Sequence, residues 1–156
     1  MSDIEEQPKY PDPFADPAEL ATRNGWTIVQ AEPWELFVDL DVPSEEATEA
    51  LLKVANRADR LNRHLPFAIC LLTTTKGPGG NIHVYLRCQD KAAGHVVFLP
   101  AMTRIALQAV LGSDLDRELY NIVRDVVAET ERGEAHRRPN VIFYETTTTR
   151  SSNAGA

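Results

Sequence analysis

A hairpin constrains this chain more than any other feature. Phe67 to Lys76 is rich in apolar, β-branched and threonine residues, and Asn81 to Gln89 alternates apolar and polar. Between them lies Gly77-Pro78-Gly79-Gly80, a run that serves a wide turn. Two strands joined this closely must pair antiparallel, so any fold is built around their sheet. Alternation sends Ile82, Val84 and Leu86 to one face and Asn81, His83, Tyr85 and Arg87 to the other.

A second strong strand precedes the hairpin. Trp34 to Asp41 carries Leu36, Val38 and Leu40 on one face and Glu35, Phe37, Asp39 and Asp41 on the other. Pro43-Ser44-Glu45-Glu46 then opens a helix, with Ser44 as its cap. Ala47, Leu51, Val54, Ala58 and Leu61 form the buried stripe of that helix. Pro100 starts another helix that runs to Leu111 and stops at Gly112. Ser113-Asp114-Leu115-Asp116 has the form of a capping box for a third, with Leu115, Leu119, Ile122 and Val126 along one side. Asn140 to Glu145 is the last strand. A short helix ending at Asn24-Gly25 and a leading strand, Trp26 to Gln30, come before all of these.

The order β-α-β-β-α-(α)-β, counted from Trp34, predicts an α+β sandwich of the ferredoxin-like or RNA-recognition type. Right-handed crossovers give an antiparallel sheet in the order 4-1-3-2, with helices on one face and the other face open. Asp39 and Asp41 then lie beside His83 on the open face. Thr73 and Thr75 join them if the turn closes between Thr75 and Asn81.

The rest of the composition sets bounds. At 156 residues, with 43% hydrophobic and 25% charged, the chain suits one globular domain. We expect a flexible arm over 1–17, where four prolines mix with acids, a single domain over 18–145 and a disordered polar tail over 146–156. No apolar run reaches the roughly 18 residues of a membrane span, and the acidic start is unlike a secretory signal. Two cysteines, Cys70 and Cys88, match neither a disulfide framework nor a zinc pair, which suits a reducing cytoplasm. The net charge of −7 opposes broad binding to nucleic acid but leaves metal-mediated contact with phosphates open.

The pair Phe37-Val38-Asp39-Leu40-Asp41 and Thr73-Thr74-Thr75-Lys76-Gly77-Pro78-Gly79-Gly80-Asn81-Ile82-His83 resembles the archaeo-eukaryotic primase superfamily. Members carry an apolar strand ending in Asp-x-Asp, then a glycine turn rich in Ser and Thr that leads to a His. The resemblance implies that Asp39 and Asp41 hold catalytic Mg²⁺ or Mn²⁺ and that His83 contacts the incoming nucleotide. Glu145 is the nearest candidate for the family's third acid. Thr75, Lys76 and Arg87 would hold the triphosphate. Residues 26–145, through Arg104 to Asp114 with Arg117-Glu118, are also similar to small phage-encoded proteins that share both motifs. That likeness implies a phage origin, the same fold and a place in the host cytoplasm.

The expected function is therefore a reduced primase-polymerase-like protein. It would bind divalent metal and nucleotide, with the nucleotidyl transfer of DNA replication retained or lost. The alternative is a non-enzymatic RNA-recognition-like module. Such a module binds single-stranded nucleic acid on Phe37 and Tyr85, or a protein partner or second copy. Plain readings stand beside these: Asp39 and Asp41 can simply end a strand before the turn at Pro43, and His83 can be an ordinary strand residue.

Overall fold

In the computed structural model the described residues are 17–76, 80–132 and 141–145. They form α1 (Pro17–Asn24), β1 (Trp26–Gln30), β2 (Glu35–Leu40), a 3-10 turn (Ser44–Glu46), α2 (Ala47–Asn62), β3 (Phe67–Lys76), β4 (Ile82–Asp90), α3 (Ala101–Leu111), α4 (Leu115–Arg132) and β5 (Val141–Glu145). Of the expected arm over 1–17 only Pro17 is described, and it opens α1; the rest of the arm, the tail and the first three turn residues, Gly77, Pro78 and Gly79, lie outside the described residues. The fold is α+β, with a three-stranded antiparallel sheet in the order β2-β4-β3.

The hairpin sets the register of that sheet. Lys76 pairs with Ile82 and Thr75 with His83. Further along, the register shifts between Leu71 and Thr73, so that one extra residue sits in β3. A bulge exchanges the two faces of a strand beyond it. Leu71 opposite Leu86 belongs to the core face, whereas Thr73 opposite Tyr85 and Thr75 opposite His83 share the second face.

The core follows the expected alternation. Leu36, Val38 and Leu40 of β2 and Val84, Leu86 and Cys88 of β4 pack with Ile69 and Phe67 of β3, under Val54 and Ala58 of α2 and Leu107 and Leu111 of α3. Each large side chain taken fully from water stabilises by about 1.5–3 kcal/mol. Burial pushes the Cys88 thiol up to about 12, so it acts as a small apolar group rather than a nucleophile. Ser44 makes no side-chain cap; it opens the 3-10 turn that feeds α2.

The position expected for the last strand is filled differently. β5 pairs with β1 in a separate two-stranded ribbon, from Trp26 opposite Glu145 to Gln30 opposite Val141. The outer edge of β2 faces the junction of α3 and α4 instead. There the Phe37 N–H donates to Gln108 Oε1 (3.0 Å) and the Asp39 N–H to Ser113 Oγ (3.0 Å). The Asp114 N–H donates to the Asp39 carbonyl (2.8 Å). These bonds occupy the groups on which a fourth strand would need to dock, so the 4-1-3-2 sheet gives way to three strands and a helical junction.

Local chain chemistry places that junction. Gly112 ends α3 with φ +108, its N–H reaching the Ala109 carbonyl while the Ser113 N–H reaches the Gln108 carbonyl. This paired closure turns the chain sharply and needs a residue tolerant of positive φ. It brings the Ser113 side chain to the β2 edge. The hydroxyl expected to cap α4 is thereby used on Asp39 and on the Glu118 carboxylate.

α4 is turned opposite to an ordinary amphipathic helix. Among its described side chains the buried ones are Arg117, Glu118, Tyr120, Asn121, Arg124 and Asp125, whereas Leu115 and Leu119 are 71% and 58% exposed. Glu118 explains the orientation. Its carboxylate accepts from Gln108 Nε2 (3.0 and 3.2 Å) and from Asn121 Nδ2 (3.3 Å), which aims the Gln108 Oε1 at β2. Gln108→Leu removes the acceptor for a buried N–H and the amide donor that contacts both oxygens of a buried carboxylate. We expect it to cost about 1–3 kcal/mol in urea unfolding, against under about 0.5 kcal/mol for the exposed Leu52→Ala on α2.

Candidate functional site

Two antiparallel strands bring the sequence motifs together. Across β2 and β4, Glu35 lies opposite Arg87, Phe37 opposite Tyr85 and Asp39 opposite His83. Thr75 of β3 lies on the other side of His83. All of these alternate away from the core, so Asp39, His83 and Thr75 form one row across the sheet and Phe37, Tyr85 and Thr73 form the next.

The centre of this face is closed. Asp39 and His83 are each 4% exposed and Phe37 is 1% exposed, which corrects the expectation of an open sheet. The Arg117 guanidinium of α4 lies 4.1 Å from the Phe37 ring centroid, a cation–π contact that covers the aromatic ring. Its Nη1 is 3.7 Å from Glu118 Oε1. The charged stripe of α4 that holds the β2 edge thus also roofs Phe37.

Asp39 and His83 meet through Asn81. The carboxylate Oδ1 is 4.0 Å from His83 Nε2, and the Asn81 amide nitrogen contacts both, donating to Asp39 Oδ1 and lying 3.1 Å from His83 Nε2. The Asn81 amide thus bridges the carboxylate and the imidazole. The ring also meets Phe37 edge-on, with centroids 4.8 Å apart. Burial pulls the His83 imidazole below its ordinary range; the Asp39 charge opposes this and the Arg117 charge adds to it. Although Asp39 is within ion-pair distance, desolvation outweighs its attraction, so the imidazole is neutral near pH 7. Beside it, burial raises the Tyr85 phenol, against a side-chain hydrogen bond from Thr75 and the charge of Arg117.

The other expected residues are spread around this centre. Asp41 lies one residue past the end of β2 and is exposed, while Asp39 is inside. Thr75 and Lys76 are exposed at the end of β3. Arg87 is half-buried, two rungs along β4 from His83. Glu145 ends β5 opposite Trp26, in the ribbon with β1, and its side chain lies outside the described residues. Among the described residues, no group of three or more His, Cys, Asp and Glu side chains converges on a metal position.

Were a divalent ion to bind here, Asp39, His83 and Asn81 are the described residues that would hold it. A carboxylate oxygen and a neutral imidazole nitrogen face the same gap, and the Asn81 amide fills it. Rotating that amide would turn its oxygen toward the gap as a third donor. A mixed oxygen and nitrogen set favours Mn²⁺ over Mg²⁺, which prefers oxygen alone.

Asn81 was legible from strand parity, since it shares the face of His83. Arg117 was legible only as part of a polar stripe, Arg117, Asn121 and Arg124, at helical spacing opposite the leucines. Nothing in the periodicity says which stripe turns inward.

The site has a charge signature. By NMR titration His83 should protonate below its ordinary value near 6.5. Asp39→Asn should lower that midpoint further, and Arg117→Met should raise it. Since the folded-state value is depressed, His83 removes stability as pH falls from about 6.5 toward its folded midpoint and removes none above it. His83→Gln should therefore flatten the acid side of the pH–stability curve.

Comparison with protein-family models, with curated proteins and with solved structures finds no match for this chain.

Proposed function

We propose that this chain is a reduced primase-polymerase-like protein that binds a divalent ion, Mn²⁺ or Mg²⁺, and a nucleotide at the end of the β2-β4-β3 sheet. The observation that carries the reading is the placement of Asp39 directly opposite His83, with Asn81 between them and Thr75 on the next strand. These residues come from two separate motifs and converge on a single polar centre, which strand patterning alone does not require. On this reading β2, β4 and β3 are strands 1, 3 and 2 of a ferredoxin-like plan, and the α3–α4 junction stands where strand 4 would lie.

The roles follow from position. Asp39 supplies the buried carboxylate ligand. His83, held neutral by burial, offers Nε2 to the ion or to a nucleotide. Thr75 and Lys76, exposed at the end of β3, are placed to donate to phosphate oxygens, and Arg87 adds a positive charge further along β4. When bound, the ion neutralises triphosphate charge and polarises the attacked phosphorus. Asp41, exposed beyond the strand, reaches the same end of the sheet from the solvent side.

Binding is better supported than turnover. Two-ion phosphoryl transfer uses several carboxylates on one centre, and here a single buried carboxylate faces the imidazole. Base stacking in the manner of an RNA-recognition module is the weaker reading. Phe37, its principal platform, is buried under Arg117.

Titration calorimetry separates these readings. Wild type should release heat with Mn²⁺ and then with a nucleoside triphosphate. Asp39→Asn should abolish the metal-dependent heat, and Asp41→Asn should weaken binding by about tenfold, or ~1.4 kcal/mol. The absence of any metal-dependent heat from the folded wild type would end the proposal.

A further inference from the structure

Beyond the row of Asp39 and His83, the second face of the sheet continues along β3 and β4. On β3 it carries Cys70, Thr73 and Thr75, all small, and on β4 it carries Tyr85 and Arg87. Thr73 and Thr75 are exposed, and Cys70, Tyr85 and Arg87 are half-buried. Phe37, on the β2 side, is covered by Arg117. Tyr85 is therefore the aromatic side chain of these rows that a flat ligand can still reach. Its ring is held edge-on to Phe37, with centroids 5.3 Å apart and an interplanar angle of 71°, and it is hydrogen-bonded to the Thr75 side chain.

The next row holds an acid and a base that do not pair. Glu35 lies directly opposite Arg87. Opposed side chains have Cβ atoms about 4.5–5.5 Å apart. Yet among the described residues no ion pair joins these two, and Arg87 Nε is buried without a hydrogen-bond partner. Glu35 is half-buried, and its Oε1 accepts from the Glu32 N–H (2.9 Å), which leaves Oε2 unengaged by any described residue. A carboxylate and a guanidinium side by side, each with bonding capacity left over, suit a ligand that donates to the first and accepts from the second.

Spacing ties this row to the candidate site. Each strand residue advances about 3.3–3.4 Å, so Tyr85 stands roughly 7 Å and Arg87 roughly 13 Å along β4 from His83. A nucleotide whose phosphates meet His83, Thr75 and Lys76 then has its base over Tyr85 and the outer edge of that base at Arg87 and Glu35. Guanine offers a carboxylate two adjacent donors, N1–H and the N2 amino group, and beside them offers a guanidinium the acceptor O6. Adenine and cytosine present one amino group beside a bare ring nitrogen, which sets a lone pair against the carboxylate. Uracil and thymine present one N–H between two carbonyl oxygens.

We infer that Glu35 and Arg87 read guanine, so that the site takes a guanine nucleotide in preference to the others; this rests on the nucleotide-binding reading above. Glu35 supplies the discrimination, because any other base leaves a half-buried carboxylate oxygen repelled or unpaired. Stacking on Tyr85 adds affinity without choosing the base.

Titration calorimetry in Mn²⁺, with GTP and ATP in turn, tests this. Wild type should bind GTP about tenfold or more tightly than ATP, within the range that one bidentate contact discriminates. Glu35→Gln keeps an acceptor for the Glu32 N–H and should bring GTP to within about threefold of ATP. Arg87→Met should weaken GTP more than ATP, and Tyr85→Leu should weaken both alike. Circular dichroism checks that each variant is folded. Equal binding of GTP and ATP by wild type overturns the inference while the nucleotide-binding reading stands. So does a GTP preference that Glu35→Gln leaves intact. Binding of neither nucleotide ends both.

Discussion

The arrangement around Asp39 depends on how the outer edge of β2 is hydrogen-bonded. A buried strand needs hydrogen-bond partners on both sides, and β2, at the edge of its sheet, has no strand on one of them. The peptide groups of Phe37 and Asp39 are buried, so leaving them unmade would cost about 1–3 kcal/mol each. Gln108, Ser113 and the backbone of Asp114 meet that demand. Each must then be oriented, and the Glu118 carboxylate orients both side chains by accepting from them.

One consequence is a buried polar layer where a small domain would ordinarily place leucines. Burial pushes the Glu118 carboxyl up, and Arg117 and its hydrogen bonds pull it back. Such a layer is sensitive to any missing partner, because a low-dielectric setting strengthens made bonds and penalises unmade ones alike. It also carries charge to the second face of the sheet, where Arg117 covers Phe37 and helps keep His83 neutral. The support of the β2 edge and the electrostatics of the candidate site are thus two effects of the same helix face.

The other consequence is the outward apolar stripe. A helix has one circumference, and once Arg117, Glu118, Asn121 and Arg124 are committed inward, Leu115 and Leu119 must face away.

Much of this was legible in advance where one period dominates. Strand alternation in Leu36-Val38-Leu40 and Val84-Leu86-Cys88 determined the core face, and the expected pairing of the first strong strand with the second strand of the hairpin made Asp39 and His83 neighbours. The helix spacing of Val54 and Ala58 likewise settled the packing face of α2. Three things were decided only by tertiary structure. The pairing of β5 with β1 was one, because short apolar strands carry no label for their partner. The closure of the supposedly open face was another, because one guanidinium on a distant helix covers Phe37. The last was the rotation of α4: its apolar and polar stripes are both regular, and the choice between them rests on unsatisfied peptide groups of a strand some eighty residues earlier, a long-range demand that local periodicity cannot encode.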